Sequence, residues 1–458
     1  MIPPEVFSAF AQGDYIPLMA QAAMENALSP RLLDRLFAET AQRQFTRDLL
    51  FSSVVGLMSV VVGRVRPSLN AASQQEAVPI PVSLKAFDGK RARLEPPVGA
   101  ALVRAVADRL APVITAMGGG RTPYLEGYRT RILDGHHLPG REHRLKELRT
   151  LRAGALPGHT LVVLDPDLML VGGAVPCEDG HAQERSLLDQ VEATVRPGDL
   201  WIADRNCCTT GFLFGVHRRG GRFVIRQHAS TLHSTLVGKR KARGRIDTGV
   251  VFEPTLRATN DADEVVFLRR LTVVLDQPTR DGDTELHLLT NLPVKDARAT
   301  VVAGLYRRRW TIETAFQEME ETLNGAINAL GYPKAALFSC CMALVAYNLM
   351  STVKAALRSA HGAAAVEGLS GYHLAEEIRM CHRGMMRPLP KDQWVEFQEM
   401  SPTELGQVLA HWARATSLAE YAQSTRGPKK SKPAKQSGAK IKHVATSKIL
   451  KARGTCIT

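Results

Sequence analysis

The stretch Leu305-Tyr306-Arg307-Arg308-Arg309-Trp310-Thr311-Ile312-Glu313 sets one carboxylate into an arginine-rich, aromatic-bearing segment. Two further aspartates stand at the ends of short apolar runs. Asp134 closes Arg131-Ile132-Leu133-Asp134-Gly135, and Asp204 closes Asp199-Leu200-Trp201-Ile202-Ala203-Asp204-Arg205. A metal-dependent phosphodiester site needs carboxylates, and the polyanion around it needs cations. Each piece also has a plainer reading. Asp-Gly makes ordinary turns, Asp204-Arg205 is compatible with a surface ion pair, and Arg309–Glu313 matches a common, weak helical pair four residues apart.

At roughly 100° per helical residue, Tyr306, Arg309, Glu313 and Glu320 fall within about 60° of one another. One helix face then shows a phenol, a guanidinium and two carboxylates. Ile312, Ala315, Phe316, Met319 and Leu323 supply an apolar face that leaves the polar one free. Three carboxylates gathered together raise one another's proton affinity unless cations join them. Oxygen-rich clusters of this sort suit Mg²⁺ or Mn²⁺. Two such ions, about 3.5–4 Å apart, activate a water or a 3′-hydroxyl and stabilise the leaving oxygen. Arginines hold phosphate by paired hydrogen bonds, and tyrosine bonds phosphate or stacks on a base.

The elements that must position these residues read as an α/β layered plan. From the start to about Ala71 the chain reads as helical, with Ser29-Pro30 opening a helix. Another helix covers about Val98–Met117, with a bend expected at Pro112. After Gly118-Gly119-Gly120 come a strand ending on Asp134 and a hairpin turned at Asp165-Pro166-Asp167. A helix over about Ala182–Thr194 precedes the short strand Leu200–Ala203, and sites gather beyond the carboxyl ends of such strands. Another helix and the strand Arg222–Arg226 complete this part. The expected organisation is a helical N-terminal domain (1–120), equally compatible with DNA-end binding and with a plain helical scaffold, a first half of the core (121–226) and an inserted β subdomain (227–293). The core then finishes with the Glu313 helix (294–355), followed by a helical C-terminal region (356–424) and a basic disordered tail (425–458).

The chain of 458 residues is large enough for two or three domains, and lysine plus arginine (59) exceed aspartate plus glutamate (45). Ten basic residues and no acid lie in Thr425–Thr458, so most of the +14 excess sits there. Polyanion binding and a solubilising extension both account for that tail. Seven scattered cysteines without a CxxC pair fit a reducing cytosol, and the N-terminus lacks the pattern of a signal peptide. Leu49–Gly63 is too short to span a membrane; Ala335–Val353, nearly long enough, reads as a buried core helix because Ser339, Tyr347, Asn348 and Ser351 interrupt it. No membrane partner is expected.

Tyr306, Arg309 and Glu313 match, at the correct spacing, the first three positions of a Tyr-x2-Arg-x3-Glu-x6-Lys signature. With Asp134 before glycine, Asp204 before arginine and a β-rich stretch before the glutamate, the chain resembles DDE transposases of bacterial insertion sequences. The branch it resembles is the insertion-sequence-four family that bears the Tyr-Arg-Glu-Lys signature. The resemblance runs from about Phe37 to Val353. It implies an RNase H-like catalytic core and metal-dependent cleavage at transposon ends followed by strand transfer, in a cut-and-paste transposition. The implied partners are terminal inverted repeats and target DNA, met by a homodimer in a synaptic complex, in the bacterial cytoplasm at the nucleoid. Asp134, Asp204 and Glu313 would ligate two Mg²⁺ (or Mn²⁺) ions. Tyr306 and Arg309 would hold the DNA end, Trp310 would stack on an unpaired base or belong to the core, and Arg205 would orient Asp204 or contact phosphate.

One position departs from the signature: its lysine falls on Glu320, where a carboxylate repels phosphate. A catalytically impaired, DNA-binding derivative is therefore the second reading. A third, a glycoside hydrolase built on a carboxylate pair, conflicts with the basic tail and the arginine-rich segment. His136, His137, His143 and His159 fit no zinc spacing, Asp165 and Asp167 read as a turn, and adjacent Cys207-Cys208 and Cys340-Cys341 read as small buried hydrophobes. No phosphate-cradling GxxxxGKS sequence is present.

Overall fold

The computed structural model describes residues 7, 10, 11, 14–46, 48–75, 82–138, 155–228, 232–279, 282–324, 332–385, 389, 391–423 and 444–452. Its centre is one mixed sheet. The strands are β1 (Arg129–His137), β2 (Ala155–Leu156), β3 (His159–Asp165), β4 (Leu170–Cys177), β5 (Asp199–Ala203), β6 (Arg222–Arg226), β7 (His233–Val237), β8 (Ala242–Ile246), β9 (Gly249–Phe252), β10 (Thr255–Thr259), β11 (Val265–Leu275), β12 (Glu285–Thr290) and β13 (Val444–Ala445). Eleven of them form the order β4-β3-β1-β5-β6-β12-β11-β10-β7, with β8 and β9 branching off β11. β4, β3 and β1 run antiparallel, whereas β1, β5 and β6 run parallel.

Alternation along each strand divides the core into two layers. Ile132, Val162, Leu200, Ile202 and Val224 face one side, packed with helices drawn from both ends of the chain. Leu133, Leu161, Trp201, Ala203, Phe223 and Ile225 face the other, under Leu188, Val191, Phe212 and Val216. Each large apolar side chain so buried contributes about 1.5–3 kcal/mol. The 182–194 region is shorter than expected: a 3₁₀ turn at Glu184–Leu187 leads into a helix at Leu188–Glu192.

The 227–293 stretch extends the central sheet rather than standing apart from it. β12 pairs with β6 through Leu289 and Ile225, and β11 pairs with β12. Eleven residues long, β11 holds β10 along its first half and β9 along its second. Leu256, Ala258, Val266 and Leu268 join the same second-face core as Trp201. Such pairing between distant strands leaves no mark on local spacing.

The helical regions at 14–116 and 371–415 likewise interlock. Phe7 meets Trp394 with ring centroids 5.0 Å apart, and Asn26 donates to the carbonyls of Phe397 (2.7 Å) and Met400 (3.1 Å). Ser29 does cap the helix Pro30–Thr40, with proline in its first turn but no side-chain cap bond. Pro112 lies inside the helix Pro96–Ala116. The helix Pro333–His361 is long and apolar enough to cross a membrane by composition, yet 83% of its most apolar window is buried within the protein. Asn348 there accepts from Val171 N at 2.7 Å and donates to Val171 O at 3.0 Å, closing the β4 edge of the sheet.

The tail expected to be disordered over 425–458 is ordered in part. Val444–Ala445 pairs with Ala155–Leu156, the helix Thr446–Ala452 follows, and Lys448 lies 2.9 Å from Asp179. Leu450 is buried there, an apolar anchor hidden by the basic composition. Residues 424–443 and 453–458, with most of the tail's lysines, and His143 lie outside the described residues.

Candidate active site

The parallel register of β1 and β5 runs from Arg129 opposite Asp199 to Leu133 opposite Ala203. Asp134 and Asp204 therefore stand at the same level of adjacent strands, which lie about 4.8 Å apart. The strand expected to end on Asp134 runs on to His137 because β3 keeps pairing with it, and only Asp204 lies past its strand. Asp134 continues the face of Ile132, and its Oδ1 accepts from Gly135 N at 3.0 Å. Asp204 caps the 3₁₀ turn Arg205–Cys207, its Oδ1 accepting from Asn206 N at 2.8 Å. Both carboxylates thus sit at the carboxyl end of the parallel part of the sheet, where α/β proteins place their sites.

The arginine-rich segment covers them. It is helical over Ala299–Arg307, tightens to 3₁₀ at Arg308–Trp310, and resumes as a helix at Thr311–Thr322. That mid-helix tightening is frequent at functional positions. Here Arg308 lies over the Tyr124 ring, 3.4 Å from its centroid, and the Tyr124 hydroxyl is 2.7 Å from Thr311 Oγ1. Ile312, Ala315, Met319 and Leu323 are buried as their spacing requires, and Phe316 packs on His136 with ring centroids 4.7 Å apart. The polar side meets the strand ends. Arg309, 8% exposed, donates from Nη1 to Asp134 Oδ2 at 2.7 Å and from Nη2 to Glu313 Oε1 at 2.8 Å. Tyr306 stands half-buried beside Arg309.

The electrostatics follow from this crowding. Burial, opposed by Arg309 and reinforced by Asp204 and Glu313, pushes Asp134 up to about 6. Burial also raises Asp204, with Glu184 adding to it and Arg309 opposing. Burial works to lower Arg309, but Asp134, Tyr306 and Glu313 together carry it above its ordinary value. Burial raises Tyr306 as well, so it stays a neutral phenol. These are shifts expected where charge must be exchanged rather than stored.

Trp310 is 61% exposed, which removes the core reading of that ring. Arg205 is exposed beside Asp204, its charge acting on Asp283. Glu320 is exposed, with no ion-pair partner for its side chain among the described residues; Arg64 donates to its carbonyl at 3.4 Å and to that of Leu323 at 3.0 Å. The histidines do not converge. His136 shares the face of Asp134, and burial, then His137, pushes it down to about 4, whereas His137 faces away beside His159. Asp165 and Asp167 form the turn between β3 and β4, Asp165 Oδ1 accepting from the backbone of Asp167 and Leu168. Cys207, Cys208, Cys340 and Cys341 are buried and form no disulfide among the described residues.

One carboxylate here escapes sequence reasoning. Glu184, at the head of the 3₁₀ turn Glu184–Leu187, lies on the Gly135 side of β1, where a Cβ on residue 135 would overlap its Oε1. Its Oε2 accepts from Asn206 Nδ2 at 3.2 Å, and His137 Nε2 is 3.7 Å from Oε1. An acidic residue in the first turn of a helix is common enough to signal nothing.

The donor set fits a hard divalent cation in chemistry: three carboxylates, all oxygen ligands, with Asp204 and Glu313 near enough to raise the proton affinity of Asp134. As placed, no three His, Cys, Asp or Glu side chains among the described residues are set to hold one ion, and the Arg309 guanidinium lies between Asp134 and Glu313.

Residues 126–349 match the family model described as transposase DDE domain. The matched stretch includes Asp134, Asp204 and Glu313. No curated protein matches the chain. Among solved structures, the piggyBac transposase synaptic complex with hairpin DNA, determined by cryo-EM, covers 89% of this chain and 86% of its own at 10% identity, with a TM-score of 0.38. So distant a likeness decides nothing about the site.

Proposed function

We propose that this chain is a transposase that cuts DNA at the ends of a mobile element and joins them to a target, by a cut-and-paste route. The observation that carries the reading is the bridge from Arg309 to Asp134 and Glu313, with Asp204 at the matching level of the next strand, inside the stretch that matches transposase DDE domains. The three antiparallel and two further parallel strands that place the aspartates support an RNase H-like core. The tyrosine, arginine and glutamate spacing supports the insertion-sequence-four branch.

Asp134, Asp204 and Glu313 would hold Mg²⁺ or Mn²⁺, for which Arg309 must leave the gap it spans. Bound there, such ions supply a water or 3′-hydroxyl nucleophile and stabilise the leaving oxygen. The chain's own groups do the rest. Arg309, once released from its carboxylates, is a paired donor for phosphate. Tyr306 keeps its proton and donates it to a phosphate oxygen. Trp310, already exposed, offers a stacking surface for a base displaced from the duplex. Arg205 supplies a cation beside Asp204. The partners of this reading are terminal inverted repeats and target DNA, its assembly a homodimer, and its place the bacterial cytoplasm at the nucleoid.

The test is cleavage of supercoiled plasmid carrying the terminal repeats, in Mg²⁺. Asp134→Asn, Asp204→Asn and Glu313→Gln are each expected to abolish nicking while still binding the ends. Nicking by Asp204→Asn equal to that of the unmutated protein overturns the reading. Glu320 favours one alternative, an impaired DNA-binding derivative: end binding without nicking, with cutting gained in Glu320→Lys, would establish it.

A further inference from the structure

We propose that Glu184 is a positioning residue, clamping the Asp204 turn to the Asp134 strand through Asn206 on one side and the bare backbone of Gly135 on the other. This rests on the reading of Asp134 and Asp204 as metal ligands. Glu184 comes from the opposite face of the sheet to Glu313, and its side chain is 14% exposed. Its two oxygens point to two different elements. Oε2 accepts from Asn206 Nδ2 at 3.2 Å, and Asn206 N in turn donates to Asp204 Oδ1 at 2.8 Å. Oε1 lies over Gly135, where any Cβ would displace it, with His137 Nε2 3.7 Å away.

The physical consequence concerns the carboxylate of Asp204, which lies just past β5, whereas Asp134 stays within β1 and pairs with Val162 of β3. The β1–β5 register fixes the backbone only as far as Leu133 and Ala203. Beyond that, Asp204 caps a 3₁₀ turn that the Asn206–Glu184 bond ties to the carboxylate seated over Gly135 of β1. Groups that orient ligands from behind typically matter 10–100-fold in metal affinity. Gly135 has the same explanation: its missing side chain is the seat of the Glu184 carboxylate.

Binding of Mn²⁺ to the DNA-free protein, followed by loss of the free-ion electron paramagnetic resonance signal, separates the possibilities. Glu184→Ala is expected to weaken Mn²⁺ binding at least tenfold. Glu184→Gln keeps an oxygen for Asn206 and is expected to stay within about threefold. Gly135→Ala, which pushes the carboxylate off its seat, is expected to follow Glu184→Ala. Asn206→Ala is expected to do the same and to add little in combination with Glu184→Ala. Should Glu184→Ala fail to fold, Gly135→Ala and Asn206→Ala carry the same expectation. Unchanged Mn²⁺ binding in these variants overturns the proposal. Equal loss in Glu184→Gln and Glu184→Ala also overturns it, since that marks direct ligation. Asp204→Asn is the control: if it too binds Mn²⁺ normally, the metal reading itself fails, whereas loss in Asp204→Asn alone removes only the role of Glu184.

Discussion

Arg309 Nη1 lies 2.7 Å from Asp134 Oδ2, joining two residues 175 positions apart in the chain. The same guanidinium holds Glu313 by its other terminal nitrogen, so one fixed cation is shared by two acids, with Arg309 and Asp134 themselves mostly buried. Removing one partner of such a pair typically costs about 3–5 kcal/mol. In Arg309→Met, Asp134 escapes part of that cost by taking up a proton. The loss of thermal stability is therefore expected to be larger at pH 8 than at pH 5, and Mg²⁺ is expected to restore part of it. An identical loss at both pH values would show that the pairing is not its source.

Asp134 is itself a destabilising residue at neutral pH. Its folded value, about 6, lies above the ordinary aspartate value of 3.8, so the fold binds that proton more tightly than the unfolded chain does. Its contribution to stability is fully present below about 3.8 and is lost as pH rises through 6. Asp134→Asn mimics the protonated form. In EDTA the stability of the variant relative to the parent is expected to be higher at pH 7.5 than at pH 4, on top of the pH-independent loss of the Arg309 contact. Chemical denaturation at the two pH values reads this directly.

Trp310 separates binding from stability. An exposed side chain of this kind contributes little to folding, and Trp310→Ala is expected to shift stability by less than about 0.5 kcal/mol. Stacking on a base is worth about 1–3 kcal/mol, so end binding is expected to weaken by roughly 5–150-fold. Fluorescence anisotropy with a labelled repeat end measures it. Unchanged affinity would assign the ring to another surface.

Asn348 makes the opposite prediction. It is fully buried and satisfies both backbone groups of Val171. Asn348→Ala leaves a donor and an acceptor without this partner, at about 1–3 kcal/mol each. A loss of roughly 2–4 kcal/mol is expected by urea denaturation, with no change in the site.

The parts legible in the sequence are those governed by local spacing. The short apolar run before Asp204 marks a strand end, and the spacing of Ile312, Ala315, Met319 and Leu323 marks the buried face that turns Arg309 and Glu313 towards the aspartates. The run before Asp134 marks a strand, but one that continues to His137. What escaped depends on approach between distant segments. Glu184 has meaning only because a 3₁₀ turn sets it over Gly135, and β12 joins β6 through a pairing no local pattern records. Over 425–458 the lysines set the composition, whereas Val444, Ala445 and Leu450 decide the docking.

The helix Pro333–His361 has the composition of a bilayer anchor but spends it inside the protein. Its shelter is made largely from earlier sequence: Phe51–Val62, Pro96–Ala116 and β4 all precede it and share its core. During synthesis, then, the ribosome releases this greasy rod into a chain that already holds most of its berth. A circular permutation that moved it to the front would deliver it naked, exposed to insertion machinery and to aggregation before any partner existed.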